Sequence, residues 1–177
     1  FHLIDAEMVS LELYDVLTIT EGESGMSVSG PFASGVPTDD NNLVARALQL
    51  CGKTAHIHIE KNIPHGGGLG GGSSDAAAVL RWTSYSDLIA ASRLGADIPF
   101  CMHGGRARVT GIGEILQPLP FVAREITLVV PPFGVSTPAV YKAFDSLQEH
   151  SDGPNDLEPA AIAVEPRLAL WRDRIRE

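Results

Sequence analysis

Apolar residues recur at every second position early in the chain, then at every third or fourth. Val9, Leu11 and Leu13 alternate with Ser10, Glu12 and Tyr14, and Val16 to Thr20 continues in the same extended style. That is the period of a half-buried strand. Met26 to Ser29 is expected to pair with it across the turn at Gly22 to Gly25, and Gly30 to Asp40 has the composition of a loop. Asn41 or Asn42 then caps a helix whose apolar face is Leu43, Val44, Ala47, Leu48 and Cys51. Ala55 to Glu60 alternates again as a strand. The alanine-rich run Asp75 to Arg81 has strong helix propensity, and Asp87 to Leu94 reads as a further helix.

The later part of the chain predicts a strand near Arg106 to Thr110, a turn at Gly111-Ile112-Gly113-Glu114 and a buried strand from Glu125 to Val130. Thr137 followed by Pro138 is a helix start, a capping hydroxyl and then proline at the first helical position. That helix would show Val140, Tyr141, Phe144 and Leu147 on one side. Asn155-Asp156-Leu157-Glu158 opens another helical segment, and Pro166 to Glu177 closes the chain with a short amphipathic one. No internal repeat is visible.

Between the Ala55–Glu60 strand and the alanine-rich helix lies Pro64-His65-Gly66-Gly67-Gly68-Leu69-Gly70-Gly71-Gly72-Ser73-Ser74. Glycine leaves no side chain between backbone N–H groups and a ligand. A glycine loop running into a helix presents unpaired N–H donors at the positive end of the helix dipole. It is an anion site, and phosphate is the anion that best fits it. A P-loop needs Lys followed by Ser or Thr after its last glycine, and no such pair follows here. Gly66, Gly68 and Gly71 match G-x-G-x-x-G. A dinucleotide loop, however, follows a buried strand directly, whereas Lys61 to His65 intervene here and the strand alternates. A flexible linker is disfavoured by the tight flanking elements.

Composition narrows the partners. The chain has 177 residues, 44% of them hydrophobic, and a formal net charge of −9. It is long enough to bury a substantial core, and its acidity argues against a nucleic-acid surface. Cys51 and Cys101 lack metal or redox spacing and read as buried free thiols in a reducing compartment. No apolar run reaches membrane-spanning length and the start carries no signal-peptide pattern, so a cytoplasmic protein without membrane contact is expected. The oligomeric state is left open.

Five segments occur in order: Gly66 to Ala77, Leu94-Gly95-Ala96-Asp97-Ile98-Pro99-Phe100-Cys101, Gly111-Ile112-Gly113-Glu114, Val135-Ser136-Thr137-Pro138-Ala139-Val140-Tyr141 and Asn155-Asp156-Leu157-Glu158. Together they resemble the GHMP kinases. The likeness is greatest to the isoprenoid-pathway branch whose acceptor is a cytidine diphosphate-linked methylerythritol. The resemblance implies an α+β, two-domain fold. Residues 1–120 would form a ribosomal protein S5 domain 2-like, ATP-binding domain, a mixed sheet with helices on one side, and 121–177 the start of a C-terminal domain. It also implies transfer of the ATP γ-phosphate to the 2-hydroxyl of that small-molecule acceptor, with Mg²⁺ offsetting charge between the β- and γ-phosphates.

Carried over residue by residue, the resemblance implies that Pro64, Gly66, Gly67, Gly68, Leu69, Gly70, Gly71, Gly72, Ser73 and Ser74 wrap the ATP phosphates. Ser73 and Ser74 would meet phosphate or Mg²⁺, or simply cap the helix. Asp97 matches the catalytic aspartate, which orients the acceptor hydroxyl and takes its proton; without the family context it would read as a turn or capping residue. Tyr141 matches an aromatic that stacks on cytosine, or else a core aromatic competing with Phe144. Phe1-His2 resembles a segment lining the cytidine pocket, with Phe in place of Tyr.

His56, His58 and Glu60 share one strand face and read as solvated rather than as a metal site. Asp75 is read as a capping residue of the helix first turn. Lys61 reads equally as a solvated lysine or as one reaching the nucleotide. The resemblance also implies a lysine-bearing strand ahead of Phe1, a longer segment across 81–86 and a late glycine- and serine-rich signature, and none of them is in the sequence. A longer protein interrupted at 81–86 is therefore expected, since a real shortening there would leave the preceding helix unable to complete its packing. Another GHMP small-molecule kinase and a non-catalytic nucleotide-binding remnant are the rival readings.

Overall fold

The computed structural model describes residues 2–147 and 153–176. Phe1 lies outside them. The chain divides into two units: the residues up to His65 with Leu69–Glu125, and Gly66–Gly68 with the residues from Ile126 onward.

The first unit holds β1 (Ile4–Val9), β2 (Val16–Glu21), β3 (Gly25–Ser29), α1 (Leu43–Leu50), β4 (Ala55–Glu60), α2 (Gly71–Trp82), α3 (Leu88–Leu94), α4 (Ile98–His103), β5 (Arg106–Gly111) and β6 (Ile115–Pro118). Its strands form two sheets of three, ordered β1-β5-β6 and β2-β4-β3, rather than the one mixed sheet expected. β4 is central, antiparallel to β2 from Val16↔Glu60 and parallel to β3 from Gly25↔His56. Met26 to Ser29 therefore pairs with β4 and not with β2. The turn at Gly22 to Gly25 brings the two strands to opposite edges of β4. Leu11 and Leu13 lie outside any strand, because β1 ends at Val9 and the alternation after it finds no ladder.

The apolar period explains the main core. Ile57 and Ile59 of β4 are fully buried with Val44 and Ala47 of α1 and Ala76, Ala77, Val79 and Leu80 of α2. Each large aliphatic side chain so buried contributes about 1.5–3 kcal/mol. Asn42 caps α1, its Oδ1 accepting the Val44 N–H at 2.9 Å and its Nδ2 donating to the Pro37 carbonyl at 2.7 Å. On the opposite face of β4, His56 and His58 are half-buried rather than solvated, while Glu60 is exposed as expected. His58 Nδ1 lies 2.9 Å from Ser27 Oγ and its Nε2 lies 3.0 Å from Ser29 Oγ. Helix α4 links the two sheets: Ile98 joins the β4 core, while Phe100 packs with Ala107 and Val109 of β5. On the outer face of the β1–β5 pair, diagonal ion pairs join Arg106 to Glu7 and Arg108 to Asp5.

Residues 81–86 form the end of α2 and the turn that follows it. Helix α2 closes with the Thr83 N–H on Val79 O, the Ser84 N–H on Arg81 O and the Tyr85 N–H on Leu80 O. Ser84 takes the left-handed conformation, φ 56°, that such a helix stop requires. Trp82 and Tyr85 then fold back against the core.

The second unit holds α5 (Thr137–Ser146), α6 (Glu158–Val164) and α7 (Arg167–Arg176). The cap of α5 is Ser136, one residue before the expected Thr137, with its Oγ accepting the Ala139 N–H. Val140 and Ala160 are buried, and Arg167 stacks on Phe133 at 4.0 Å. The expected buried strand at 125–130 is not formed. Among the described residues no strand pairs with it, and Ile126 is 50% exposed. An apolar run alone does not make a strand, because its N–H and C=O groups need a ladder partner.

Candidate active site

The glycine segment ends in a helix N-terminus that is open toward solvent. Pro64 is buried, Gly66, Gly67, Gly68 and Gly72 are exposed, and Leu69, Gly70, Gly71, Ser73 and Ser74 are half-buried. Gly70 is the residue before α2, with φ 68° and ψ 17°, a left-handed conformation that turns the chain into the helix. The first bond of α2 runs from the Ser74 N–H to Gly70 O at 2.8 Å. The N–H groups of Gly71, Gly72 and Ser73 thus precede the intrahelical ladder and are available to an anion. Neither serine caps the helix. Ser74 Oγ donates back to Gly71 O at 2.9 Å.

Under this first turn lies a buried charge cluster. The Lys61 ammonium hydrogen-bonds the Asp15 carboxylate and, at 2.9 Å, Asp75 Oδ2; the lysine side chain is 3% exposed. Asp15 also accepts the N–H groups of Asn62 at 2.6 Å and Ile63 at 2.8 Å. Burial would raise the Asp15 carboxyl, but the Lys61 bond and the two N–H donors outweigh it and hold the pKa below the ordinary value. Asp75 is pushed up to about 6 by burial, with the Asp15 charge adding and Lys61 opposing. Both earlier readings are corrected. Lys61 is neither solvated nor free to reach outward, and Asp75 caps nothing. The acid stands on the inward side of α2 one turn before Val79, where a carboxylate needs a cation.

Asp97 stands at the start of α4, half-buried, and makes no capping hydrogen bond. Its carboxylate faces the glycine loop: Oδ2 lies 3.8 Å from the point where a Cβ on Gly70 would be. Burial raises its pKa. Cys101, one turn along α4, is pushed up to about 11 by burial, with the Asp97 and Asp75 charges adding, so its thiol stays protonated. Cys51 Sγ lies 3.1 Å from Thr83 Oγ1. Both thiols are free and half-buried rather than fully buried.

Tyr141 is half-buried on α5 in the second unit, and His2 is exposed in the first. Phe1 lies outside the described residues. Among the described residues no group of three or more His, Cys, Asp and Glu could hold a metal ion, and no helix is long and apolar enough to cross a membrane.

Residues 42–105, which span the loop, the buried lysine and Asp97, match the GHMP kinases N terminal domain. A protein of Paracoccus denitrificans named 4-diphosphocytidyl-2-C-methyl-D-erythritol kinase is 42% identical over 96% of this chain and 69% of its own length. The chain belongs to the 4-diphosphocytidyl-2-C-methyl-D-erythritol kinase family. A Clostridium botulinum member of the family is 41% identical over 82% of this chain, which spans 57% of that relative. The crystal structure of a 4-(cytidine 5'-diphospho)-2C-methyl-D-erythritol kinase superposes with a TM-score of 0.66 at 33% identity, covering 99% of this chain and 74% of that one. The α+β fold expected from the motifs is the fold of this family.

Asp15 was not marked out by the sequence, since an acid just ahead of a strand has no periodic signature. Asp75 did carry a signal. A lone acid on the face shared by Ala76 and Val79 calls for a buried partner, and Lys61 is the nearest cation before the loop.

Proposed function

We propose that the protein transfers the γ-phosphoryl group of ATP to the 2-hydroxyl of 4-diphosphocytidyl-2-C-methyl-D-erythritol, a step of isoprenoid synthesis. The observation that carries the reading is the Asp97 carboxylate turned toward Gly70 at the mouth of α2. Similarity to the family supplies the acceptor.

The Gly66–Ser74 loop binds the ATP phosphates through backbone N–H groups, those of Gly71, Gly72 and Ser73 at the helix start, with the helix dipole adding to the attraction. Asp97 accepts a hydrogen bond from the acceptor hydroxyl, orients its oxygen toward phosphorus and takes the proton as the new P–O bond forms. Burial raises the Asp97 pKa and makes its carboxylate a stronger base than a solvated one. Resemblance to the family supports Tyr141 as the residue that stacks on cytosine, and Phe1 and His2 as residues that meet the cytidine. Mg²⁺ carried on the nucleotide, with the Ser73 or Ser74 hydroxyl as its protein contact, would offset charge on the β- and γ-phosphates. We read 1–120 as the ATP-binding domain and 121–177 as the beginning of the second.

The test is ATP-dependent phosphorylation of the cytidyl substrate by the intact protein, following ADP and phosphorylated product together. Asp97→Asn keeps the shape and removes the base, and turnover should fall at least about 100-fold. Absence of product with the unaltered protein, or full turnover by the Asn variant, would sink the assignment.

A further inference from the structure

Lys61 is joined to more of the first unit than any role in solvation requires. Its backbone N–H donates to Ser29 O at 2.7 Å and its carbonyl accepts the Phe32 N–H at 3.2 Å, which fixes the chain as it leaves β4 beside the end of β3. Its ammonium is held by Asp15, immediately before β2, and by Asp75 of α2. Asp15 in turn holds the N–H groups of Asn62 and Ile63, the residues that lead into the loop. The Lys61 ammonium also sits under the first residue of α2: a Cβ on Gly71 would fall 2.9 Å from Nζ and 3.0 Å from Ile63 Cγ2.

We propose that Lys61 is a positioning residue for phosphoryl transfer. Clamped between Asp15 and Asp75 and seated against Gly71, it fixes the first turn of α2 so that the Gly71, Gly72 and Ser73 N–H groups meet the nucleotide phosphates in one orientation. The inference rests on the glycine loop being the ATP site. Its physical basis is directional. A hydrogen-bonded ion pair holds two elements at a set distance and angle, whereas apolar contact between them tolerates sliding. A shift of about 1 Å in a positioning element can cost about 100-fold in rate.

The decisive variant is the double change Lys61→Met with Asp75→Ala, which removes one buried charge of each sign and leaves Asp15 held by the Asn62 and Ile63 N–H groups. ATP–Mg²⁺ binding by calorimetry, ATP and acceptor KM, kcat and thermal melting are measured on the intact protein. We expect a folded variant with ATP affinity down about tenfold or more and kcat reduced, while the acceptor KM stays as it was. Asp75→Asn, which keeps an oxygen for Lys61, should restore most of the nucleotide affinity that Asp75→Ala loses. A stable double variant with unchanged ATP affinity and kcat overturns the inference. If the double variant does not fold, the Asp75→Ala and Asp75→Asn pair decides: equal ATP affinity in both overturns it. An unaltered protein that fails to bind ATP refutes the function itself, a result separable from either outcome.

Discussion

The backbone of Gly113 rests directly on that of Ala96. A Cβ at Gly113 would lie 1.9 Å from the Ala96 carbonyl oxygen, and the residue holds φ at 105°. The glycine of the 111–114 turn is therefore a support for the residue preceding Asp97. Glu114 completes the turn by accepting the Ile112 N–H at 2.7 Å. Gly113→Ala must push the 95–97 segment away or unfold the turn. We expect a loss of about 1–3 kcal/mol in stability and a fall in kcat of about 100-fold, measured by melting and by steady-state turnover. Normal turnover would mean that the Asp97 segment is not held from this side.

The buried cluster makes stability depend on pH with a definite sign. Asp75 has a folded-state pKa of about 6 against an ordinary 3.8, so the folded protein binds this proton more tightly than the unfolded chain. Its contribution to stability is complete below about pH 3.8 and is lost as pH rises through about 6. Asp15 runs the other way: its pKa is lowered, so its contribution is present above the ordinary value and lost only in stronger acid. Between pH 7 and pH 5 the Asp75 contribution is the one that moves. Relative to Asp75→Asn, the unaltered protein should gain about 1 kcal/mol of stability on going from pH 7 to pH 5. Denaturant titrations of both proteins at the two pH values measure this difference, and parallel curves would contradict it.

Substitutions at Tyr141 test acceptor recognition apart from nucleotide binding. If its ring stacks on cytosine, Tyr141→Ala removes about 1–3 kcal/mol of contact, raising the acceptor KM by about tenfold or more while the ATP KM holds. Tyr141→Phe keeps the ring face and should bind the acceptor nearly as well as the unaltered protein. A change in stability with both KM values intact would instead make Tyr141 a packing residue of α5.

How much could be read beforehand divides along physical lines. Local signals served well. The Asn42 cap, the 3.6-residue period of α1, the Ala55–Glu60 alternation and the alanine-rich run of α2 each carry their meaning within a few residues. The motif order carried the family. Long-range pairing was not legible. Nothing in Met26 to Ser29 says that it lies parallel to β4 instead of antiparallel to β2, because both partners offer the same alternating ladder. The Asp15 half of the Lys61 cluster was hidden for a similar reason, since that acid stands 46 positions away in the chain. The apolar run at 125–130 satisfied composition without supplying a partner strand.

Ser84 is the described non-glycine residue with positive φ, and it stands where α2 stops. Its φ of 56° lets the Tyr85 N–H reach back to Leu80 O at 2.9 Å, which turns Tyr85 onto the core. A residue with a Cβ holds this conformation at a cost of about 1–2 kcal/mol, whereas glycine holds it freely. Glycine also loosens the unfolded chain by about 0.4–1 kcal/mol, so the two effects oppose and the first is larger. Ser84→Gly should therefore raise stability by about 0.5 kcal/mol. Ser84→Val, whose branched Cβ resists positive φ, should lower it by at least about 1 kcal/mol. Chemical denaturation of the three proteins orders them Gly above Ser above Val. The reverse order would show that the chain does not close α2 through a left-handed residue at position 84.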